Sequence, residues 1–275
     1  YTALGSENPA KTAGLRLGDW IVSAGGRPVR SNDDLTAAIQ AADGAPLTVV
    51  YRRDGVQHTS ALTPAQDEKG RYKAGVWVRD SGAGIGAMSF VDAQHGTFAG
   101  LGHSISDTDT GTELTLLSGE IVPVTITGCI RGAAGSPGEL RGEFSAKAVG
   151  QVLANDAAGV YGSYTGGTIG QAVPVANVQE VTPGEAELWT TVQGTIAQPY
   201  KVRIERVTMT GSDPNRNLLI KVTDERLLEK TGGIVQGMSG SPIVQNGQLA
   251  AVLTHVLVND PAKGYAIFAA TMLEK

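Results

Sequence analysis

Residues 237–243 read GMSGSPI, so two serines lie among glycines in a short turn before an apolar segment. A serine hydroxyl is a poor nucleophile unless a base takes its proton and backbone N–H groups stabilise the oxyanion that forms. Gly237 and Gly240 permit a sharp turn that exposes the Ser239 hydroxyl and directs the N–H groups of Gly237 and Ser239 to one point. Ser241 precedes Pro242 and is expected to have a structural role. The turn predicts acyl transfer at Ser239, with a polar turn of no chemical role as the alternative.

A base for this serine must come from four histidines. His58 lies in a predicted hairpin, and His95 lies in a polar turn. His255 lies in an apolar strand, where a core or supporting role is expected. His103 remains, at the end of a glycine-flanked strand in GTFAGLGHSISDTDTG. It is the candidate general base, because a base distant in sequence can meet the serine when the two lie on packed β-structures.

The DTDTG segment at 107–111 alternates carboxylates before a glycine, as a calcium loop does. A twelve-residue EF-hand loop from Asp107 would need a bidentate acid at position 118, which is Ser118, and no predicted helix flanks the segment. His103 with Asp107 and Asp109 lacks a nearby second His or Cys to complete another metal site. The sequence therefore predicts no metal and no cofactor.

Composition restricts the class of protein. The chain has 275 residues, a formal charge of −5, a pI near 5.4 and no Lys/Arg cluster interleaved with aromatics, so nucleic acid is not an expected partner. Cys129 is the single cysteine, so no disulfide can form within the chain. The sequence has no apolar run of about 18 residues and begins without Met, so we expect a mature or truncated fragment whose anchor or signal lay upstream.

Residues 1–64 predict a small α+β domain, and residues 65–74, which are polar and aperiodic, predict a linker. The predicted elements are a short helix at Pro9–Ala13, a strand at Trp20–Ala24, a helix capped by Ser31 or Asn32, and strands at Leu47–Arg52 and Gln57–Leu62 joined by an Asp-Gly turn.

The segment ENPAKTAGLRLGDWIVSAGGRPV, the helix after it and the paired LTVVYRRDG strands resemble a PDZ domain. The resemblance implies a groove between one strand and the 35–42 helix, in which a peptide adds as an extra strand. The strand and carboxylate-binding loop of such a groove would lie at or before Tyr1, so the domain is expected to be N-terminally truncated. A packing module without a ligand is the alternative.

Residues 75–275 consist of short, β-branched apolar stretches separated by Gly, Pro, Asn and Asp. About a dozen strands with almost no helical periodicity predict a mainly β domain of one or two packed barrels. The Gly-x-Ser-Gly-x-Pro spacing at 237–242 is similar to the nucleophile turn of chymotrypsin-like serine proteases.

Four segments, GTFAGLGHSISDTDTG, GAAGSPGELRGEF, GMSGSPIVQNGQL and THVLVNDPAKGYAIF, together resemble the stage IV sporulation protein B (SpoIVB) family of serine peptidases in order and spacing. The resemblance implies a PDZ-like domain followed by a chymotrypsin-like double β-barrel. It implies that Ser239 is the nucleophile, that His103 is the general base, and that Asp224 is the acid that orients the histidine.

The acid has several alternatives. Asp224 lies in LLIKVTDERL, between histidine and serine in chain order, as in the chymotrypsin arrangement, but it could equally be a solvated strand-end residue. Asp156 lies at a more usual distance from the histidine, and Asp107 and Asp109 are local candidates. A Ser–His dyad without an acid is the remaining interpretation.

The resemblance also implies a cellular role. It implies an endospore-forming bacterium and export of the enzyme into the intermembrane space around the forespore. There the enzyme would cleave a membrane-associated regulator, which releases an intramembrane protease that matures a sigma factor. Such enzymes also cleave themselves, so self-association is expected, and a segment absent from this chain would keep the enzyme near the membrane. A non-catalytic PDZ-containing scaffold and a structural spore-layer protein are the competing functions.

Overall fold

The computed structural model describes residues 4, 8–167, 170, 172–211 and 213–275. The chain divides into two units, Tyr1–Ala83 and Gly84–Lys275. None of the helices in these described ranges has the length and hydrophobicity needed to cross a membrane.

The described residues of the first unit form a four-stranded antiparallel sheet of order β2-β1-β3-β4, a two-stranded ribbon and two helices. Its elements are α1 (Pro9–Thr12), β1 (Trp20–Ala24), β2 (Arg27–Pro28), α2 (Asn32–Ala41), β3 (Leu47–Arg53), β4 (Val56–Leu62), β5 (Ala65–Gln66) and β6 (Tyr72–Lys73). Helix α2 begins with a capping box, in which the Ser31 and Asp34 side chains each accept a hydrogen bond from the other residue's N–H. The β3–β4 hairpin turns at Asp54 and Gly55, which both have positive φ, as the Asp-Gly signal predicts.

The prediction that residues 65–74 form a linker differs from the structure. The segment pairs with itself as the β5–β6 ribbon, and Ala74 is buried in the core of the first unit with Tyr72 packed against it. Strands of two residues are too short to produce an alternation that a sequence pattern can reveal. The first unit consequently extends to residue 83, beyond the predicted domain end at 64.

Within the described residues, the second unit contains thirteen strands and two short α-helices. They are β7 (Met88–Asp92), β8 (Thr97–Gly100), β9 (Gly119–Ile121), β10 (Val124–Ile130), β11 (Glu139–Phe144), β12 (Gly150–Asp156), β13 (Gly159–Tyr164), β14 (Gly184–Thr190), β15 (Gln198–Val207), β16 (Leu218–Val222), α3 (Glu225–Thr231), β17 (Pro242–Gln245), β18 (Gln248–Leu257), β19 (Asp260–Phe268) and α4 (Ala269–Leu273).

These strands form a closed barrel of order β14-β15-β16-β19-β18-β17, a five-stranded sheet of order β7-β8-β13-β12-β9, and a separate β10–β11 hairpin. The predicted mainly β fold is confirmed. One of the two expected barrels closes, while the described strands of the other half form the five-stranded sheet.

A small buried cluster joins the sheet to the barrel. Ala99 on β8 and Ala158 beside β13 pack with Val252 on β18, Ile267 on β19 and Met272 on α4. Apolar burial is the main force that holds two layers together. The cluster therefore fixes the end of β8, where His103 follows, against strand β18 of the barrel.

Candidate active site

The serine turn lies immediately before β17, one of the six strands of the barrel. Gly237 has φ +95° and Gly240 has φ +92°, a region that residues with a Cβ rarely adopt. A Cβ at Gly240 would also collide with the Ala87 carbonyl oxygen. The turn therefore requires glycine on both sides of the Met238–Ser239 pair, as the motif indicates.

The Ser239 hydroxyl is half-buried and bonded to the neighbouring strand. Its Oγ donates a hydrogen bond of 2.7 Å to the Thr254 carbonyl, and the Ser239 carbonyl accepts one of 2.7 Å from the Ala87 N–H. Buried Thr254 in turn donates from Oγ1 to the Asn215 carbonyl at 2.6 Å. These bonds fix the serine backbone, and a rotation about χ1 redirects the hydroxyl to another acceptor.

His103 follows β8 at a sharp bend, where Leu101 and Gly102 have φ values of +66° and +69°. A Cβ at Gly102 would lie 2.9 Å from Thr254 Cγ2, so the bend packs directly on the strand that holds the serine hydroxyl. The His103 Nδ1 lies 2.8 Å from the Ser104 carbonyl oxygen. A carbonyl can only accept, so Nδ1 carries the hydrogen and Nε2 is the bare nitrogen of the neutral ring. Nε2 is therefore available to take a proton.

The rings of His103 and His255 are in contact, with centroids 4.9 Å apart and planes tilted by 35°. His255 directly follows Thr254, whose carbonyl accepts the Ser239 hydroxyl. Ser239 and His103 thus converge on two adjacent residues of β18, Thr254 and His255. His255 is nevertheless exposed to solvent in part.

Both rings are held in the neutral form at neutral pH. Burial lowers the pKa of His103, although its bond to the Ser104 carbonyl opposes that effect. Partial desolvation, the neighbouring His103 and the Arg216 guanidinium lower the pKa of His255 to about 4, against a smaller opposing effect of Asp213. A neutral His103 is the state that can accept the serine proton.

Two backbone donors lie in the serine turn. The N–H groups of Gly237 and Ser239 have no hydrogen-bond partner among the described residues, whereas those of Gln236, Met238 and Gly240 are all bonded. These two are the donors that the sequence predicts for an oxyanion hole. Donors that are already oriented and unbonded stabilise a developing oxyanion without first losing another bond.

The structure does not bring Asp224 to His103. The Asp224 carboxylate caps helix α3 through the Arg226 N–H at 3.0 Å, pairs with the Arg226 guanidinium at 2.8 Å and accepts from the Lys201 N–H at 3.1 Å. Tyr265 on β19 pairs with His255 on β18 and with Leu219 near the start of β16. Asp224 follows the opposite end of β16. The acid predicted to orient the histidine thus has a structural role instead, because the start of α3 needs a cap.

The carboxylates of Asp156 and Asp107 also bond elsewhere. Asp156 lies 3.3 Å from the Lys275 ammonium, and its carboxylate accepts from the Ala158 N–H. Asp107 accepts from the Thr110 N–H, and Asp109 donates its N–H to Asp107 in the same loop. Over the described part of the chain, no carboxylate forms a hydrogen bond with His103. The Ser104 carbonyl takes the position on Nδ1 that an acid would take.

Sequence reasoning missed three parts of the site. For His255 the sequence predicts a core or supporting role without naming what it supports, and in the structure its ring lies against the His103 ring. The Asn155 side chain accepts from the Ile105 N–H and donates to the Ile105 and Leu114 carbonyls, so it holds the loop that follows His103. Asp213 lies near enough to act on the pKa of His255. Only the position of His255 in the strand after the serine turn could have signalled any of these.

The two histidines and the second serine that the sequence did not favour as catalytic residues have other partners in the structure. His58 stacks on Tyr51 at 5.4 Å in the first unit, and His95 bonds to Asp92 at 2.6 Å in the β7–β8 turn. Ser241 is buried and donates to Thr190 Oγ1 at 2.9 Å, which confirms its structural role.

Comparison with known proteins gives matches over both units. The model of the family described as SpoIVB peptidase S55 matches residues 70–273, and a PDZ domain model matches residues 2–53. No curated protein matches the sequence. The solved structures of similar chains include the active form of the Rv3671c protease from M. tuberculosis, with 20% identity, a TM-score of 0.34, and 52% of this chain and 65% of that chain covered. The inactive form of the Rv3671c protease has 18% identity, a TM-score of 0.34, and 50% and 71% covered. The match thus spans less than two thirds of the first structure's length.

Proposed function

Because the chain belongs to the SpoIVB peptidase S55 family, we propose that it is a serine endopeptidase with Ser239 as nucleophile and His103 as general base. The convergence of Ser239 and His103 on Thr254 and His255 is the observation that carries this proposal. The unbonded N–H groups of Gly237 and Ser239 support it independently.

In the proposed reaction, the Ser239 hydroxyl rotates from the Thr254 carbonyl to Nε2 of His103. Nε2 takes the proton while Oγ forms a bond to the carbonyl carbon of a peptide. The carbonyl oxygen becomes an oxyanion that accepts hydrogen bonds from the Gly237 and Ser239 N–H groups, each worth about 3 kcal/mol in the transition state. The Ser104 carbonyl holds Nδ1–H, so it fixes the tautomer and helps to stabilise the imidazolium.

Collapse of this intermediate breaks the C–N bond, and Nε2–H of His103 protonates the leaving amine. Water then attacks the acyl-enzyme and gives one proton to Nε2. Breakdown of the second intermediate releases the carboxylic acid product and returns the proton to Ser239 Oγ. Because His255 has a pKa of about 4, it stays neutral while His103 is charged, which avoids two adjacent positive rings.

We further propose that the substrate is a membrane-associated regulatory protein of sporulation and that the chain also cleaves itself. In this role the enzyme acts outside the cytoplasm, in the space around the forespore. Cleavage of the regulator releases an intramembrane protease, which then matures a sigma factor. Family membership supports it, since the family carries the SpoIVB name. The PDZ domain, whose family model matches residues 2–53, would present a peptide segment of the substrate or of the enzyme itself.

A fluorescent fluorophosphonate tests the catalytic proposal, because it forms an Oγ–P bond with an activated serine and releases fluoride. The wild-type protein should label, and Ser239→Ala and His103→Ala should not. Ser118→Ala and His95→Ala, which change exposed residues away from the site, should label normally. Absence of wild-type labelling in folded protein would favour the non-catalytic scaffold instead.

A further inference from the structure

The β10–β11 hairpin forms a sheet of its own, yet it reaches the serine turn. The Gln236 N–H donates to the Gly138 carbonyl at 2.8 Å, and the Leu140 N–H donates to the Gln236 carbonyl at 2.8 Å. The backbone at the start of β11 therefore bonds to both the N–H and the carbonyl of Gln236, the residue that precedes Gly237. These two bonds fix the peptide plane that leads into the oxyanion donor.

The same strand supplies a wall behind that donor. A Cβ built at Gly237 would lie 3.1 Å from Leu140 Cβ and 3.3 Å from Ile85 Cγ2, so the Gly237 backbone packs directly on both side chains. Leu140 is 7% exposed, which makes it part of the barrel-side core rather than a surface residue. A close-packed wall of this kind resists rotation of the Gly237 peptide away from the site.

The hairpin tip is anchored on the opposite side. The Gly132 N–H donates to the Thr231 carbonyl, and the Gly135 N–H donates to the Val258 carbonyl, both at 2.8 Å. Gly138 closes the tip, and a Cβ there would collide with the Ile130 carbonyl oxygen and lie 2.5 Å from the Gly132 nitrogen. The tip can therefore keep its shape, and its bonds to Gln236, only while residue 138 is glycine.

We propose that docking of the β10–β11 hairpin sets the oxyanion hole, with Gly138 and Leu140 as positioning residues that act through Gln236 and Gly237. This inference rests on the proposed peptidase function. Neither residue touches Ser239 Oγ or the His103 ring among the described contacts. Loss of the docking should move the Gly237 N–H while the nucleophile and base stay in place.

The test compares Gly138→Ala with Gly128→Ala in the full chain. Gly128 lies in β10 of the same hairpin, and a Cβ there meets no atom within 4 Å, so it is a matched control. We expect the fluorophosphonate labelling rate of Gly138→Ala to fall about tenfold to a hundredfold, since one oxyanion donor is worth about that much or more. The Gly128→Ala rate should equal that of wild type. The pH midpoint of labelling, which reports His103, should be the same in all three proteins.

A second pair of variants tests the same inference even if Gly138→Ala does not fold. Leu140→Ala opens the wall behind Gly237 and should lower the rate about tenfold, whereas Leu140→Met refills it and should restore labelling. Labelling at the wild-type rate by folded Leu140→Ala, or a shifted pH midpoint with the rate loss, would overturn the positioning role alone. Failure of the wild type to label would instead overturn the proposed peptidase function and this inference with it.

Discussion

His103 has an environment unlike that of a histidine paired with an acid. Its Nδ1–H is held by a neutral carbonyl, and burial lowers its pKa below the ordinary 6.5. A carboxylate partner would raise that pKa instead. The residue-scale evidence therefore favours a dyad, in which the base is active over a range that extends below pH 6.5.

The pH dependence of labelling checks this directly. The neutral form of His103 is the active one, so the rate should fall as pH drops through its pKa, with a midpoint below 6.5. The pseudo-first-order labelling rate would be measured from pH 4.5 to 8.5 with a stable fold at each pH. A midpoint above 6.5 would mean that a carboxylate pairs with His103 in solution.

His255 permits a second prediction at this scale. Its ring covers one side of His103, so His255→Ala should free the imidazole and lower the labelling rate about tenfold, because small displacements of reacting groups are costly. His255→Phe keeps an aromatic surface and should retain most of the rate. Equal loss in both variants would indicate that a ring nitrogen of His255, rather than its packing, is required.

At the scale of elements, Asp224 is the N-cap of α3. Its pKa is lowered to about 2 by the Arg226 side chain and by backbone N–H donors, with burial opposing. A folded-state pKa below the unfolded value of about 3.9 stabilises the fold above pH 4, and this stabilisation is lost as pH falls towards 2. It amounts to about 2 kcal/mol near neutral pH.

Asp224→Asn keeps a capping side chain but removes the charge. We expect it to lower the free energy of unfolding in urea by about 1–2 kcal/mol at pH 7 and to leave the labelling rate of folded protein within about twofold. The stability difference from wild type should shrink as pH approaches 2. A rate loss of several orders of magnitude without a stability change would restore Asp224 as the orienting acid.

Elements with local signals could be predicted from the sequence. The α2 cap at Ser31 and the Asp-Gly turn of β3–β4 depend on neighbours in the chain, and both occur as expected. The strands of the β5–β6 ribbon are too short to show an alternation in sequence, and the Asn155 side chain bonds to Ile105, which lies 50 residues away in the chain. For the same reason the acid could not be chosen from spacing, since Asp224 and Asp156 each found other partners in space.

At the scale of the whole molecule, each unit has a core of its own. One buried cluster lies between residues 10 and 74, and the clusters of the barrel and sheet involve residues from 85 onward. The S55 family match begins at residue 70, but Ala74 belongs to the core of the first unit. The boundary of the catalytic unit therefore lies at Gly84 rather than at the start of the match.

The last prediction uses this boundary. A fragment of residues 84–275 keeps Ile85, which packs on Gly237, and Ala87, whose N–H holds the Ser239 carbonyl at 2.7 Å. It should fold and label with the fluorophosphonate at about the rate of the full chain, since separate cores can fold alone. A fragment of residues 88–275 keeps all of β7 but loses both contacts, and its labelling rate should fall at least about tenfold.

Circular dichroism and thermal melting would establish that both fragments are folded. Equal rates for the two would show that residues 85–87 do not support the serine turn, and an inactive but folded 84–275 would make the first unit part of the catalytic machinery.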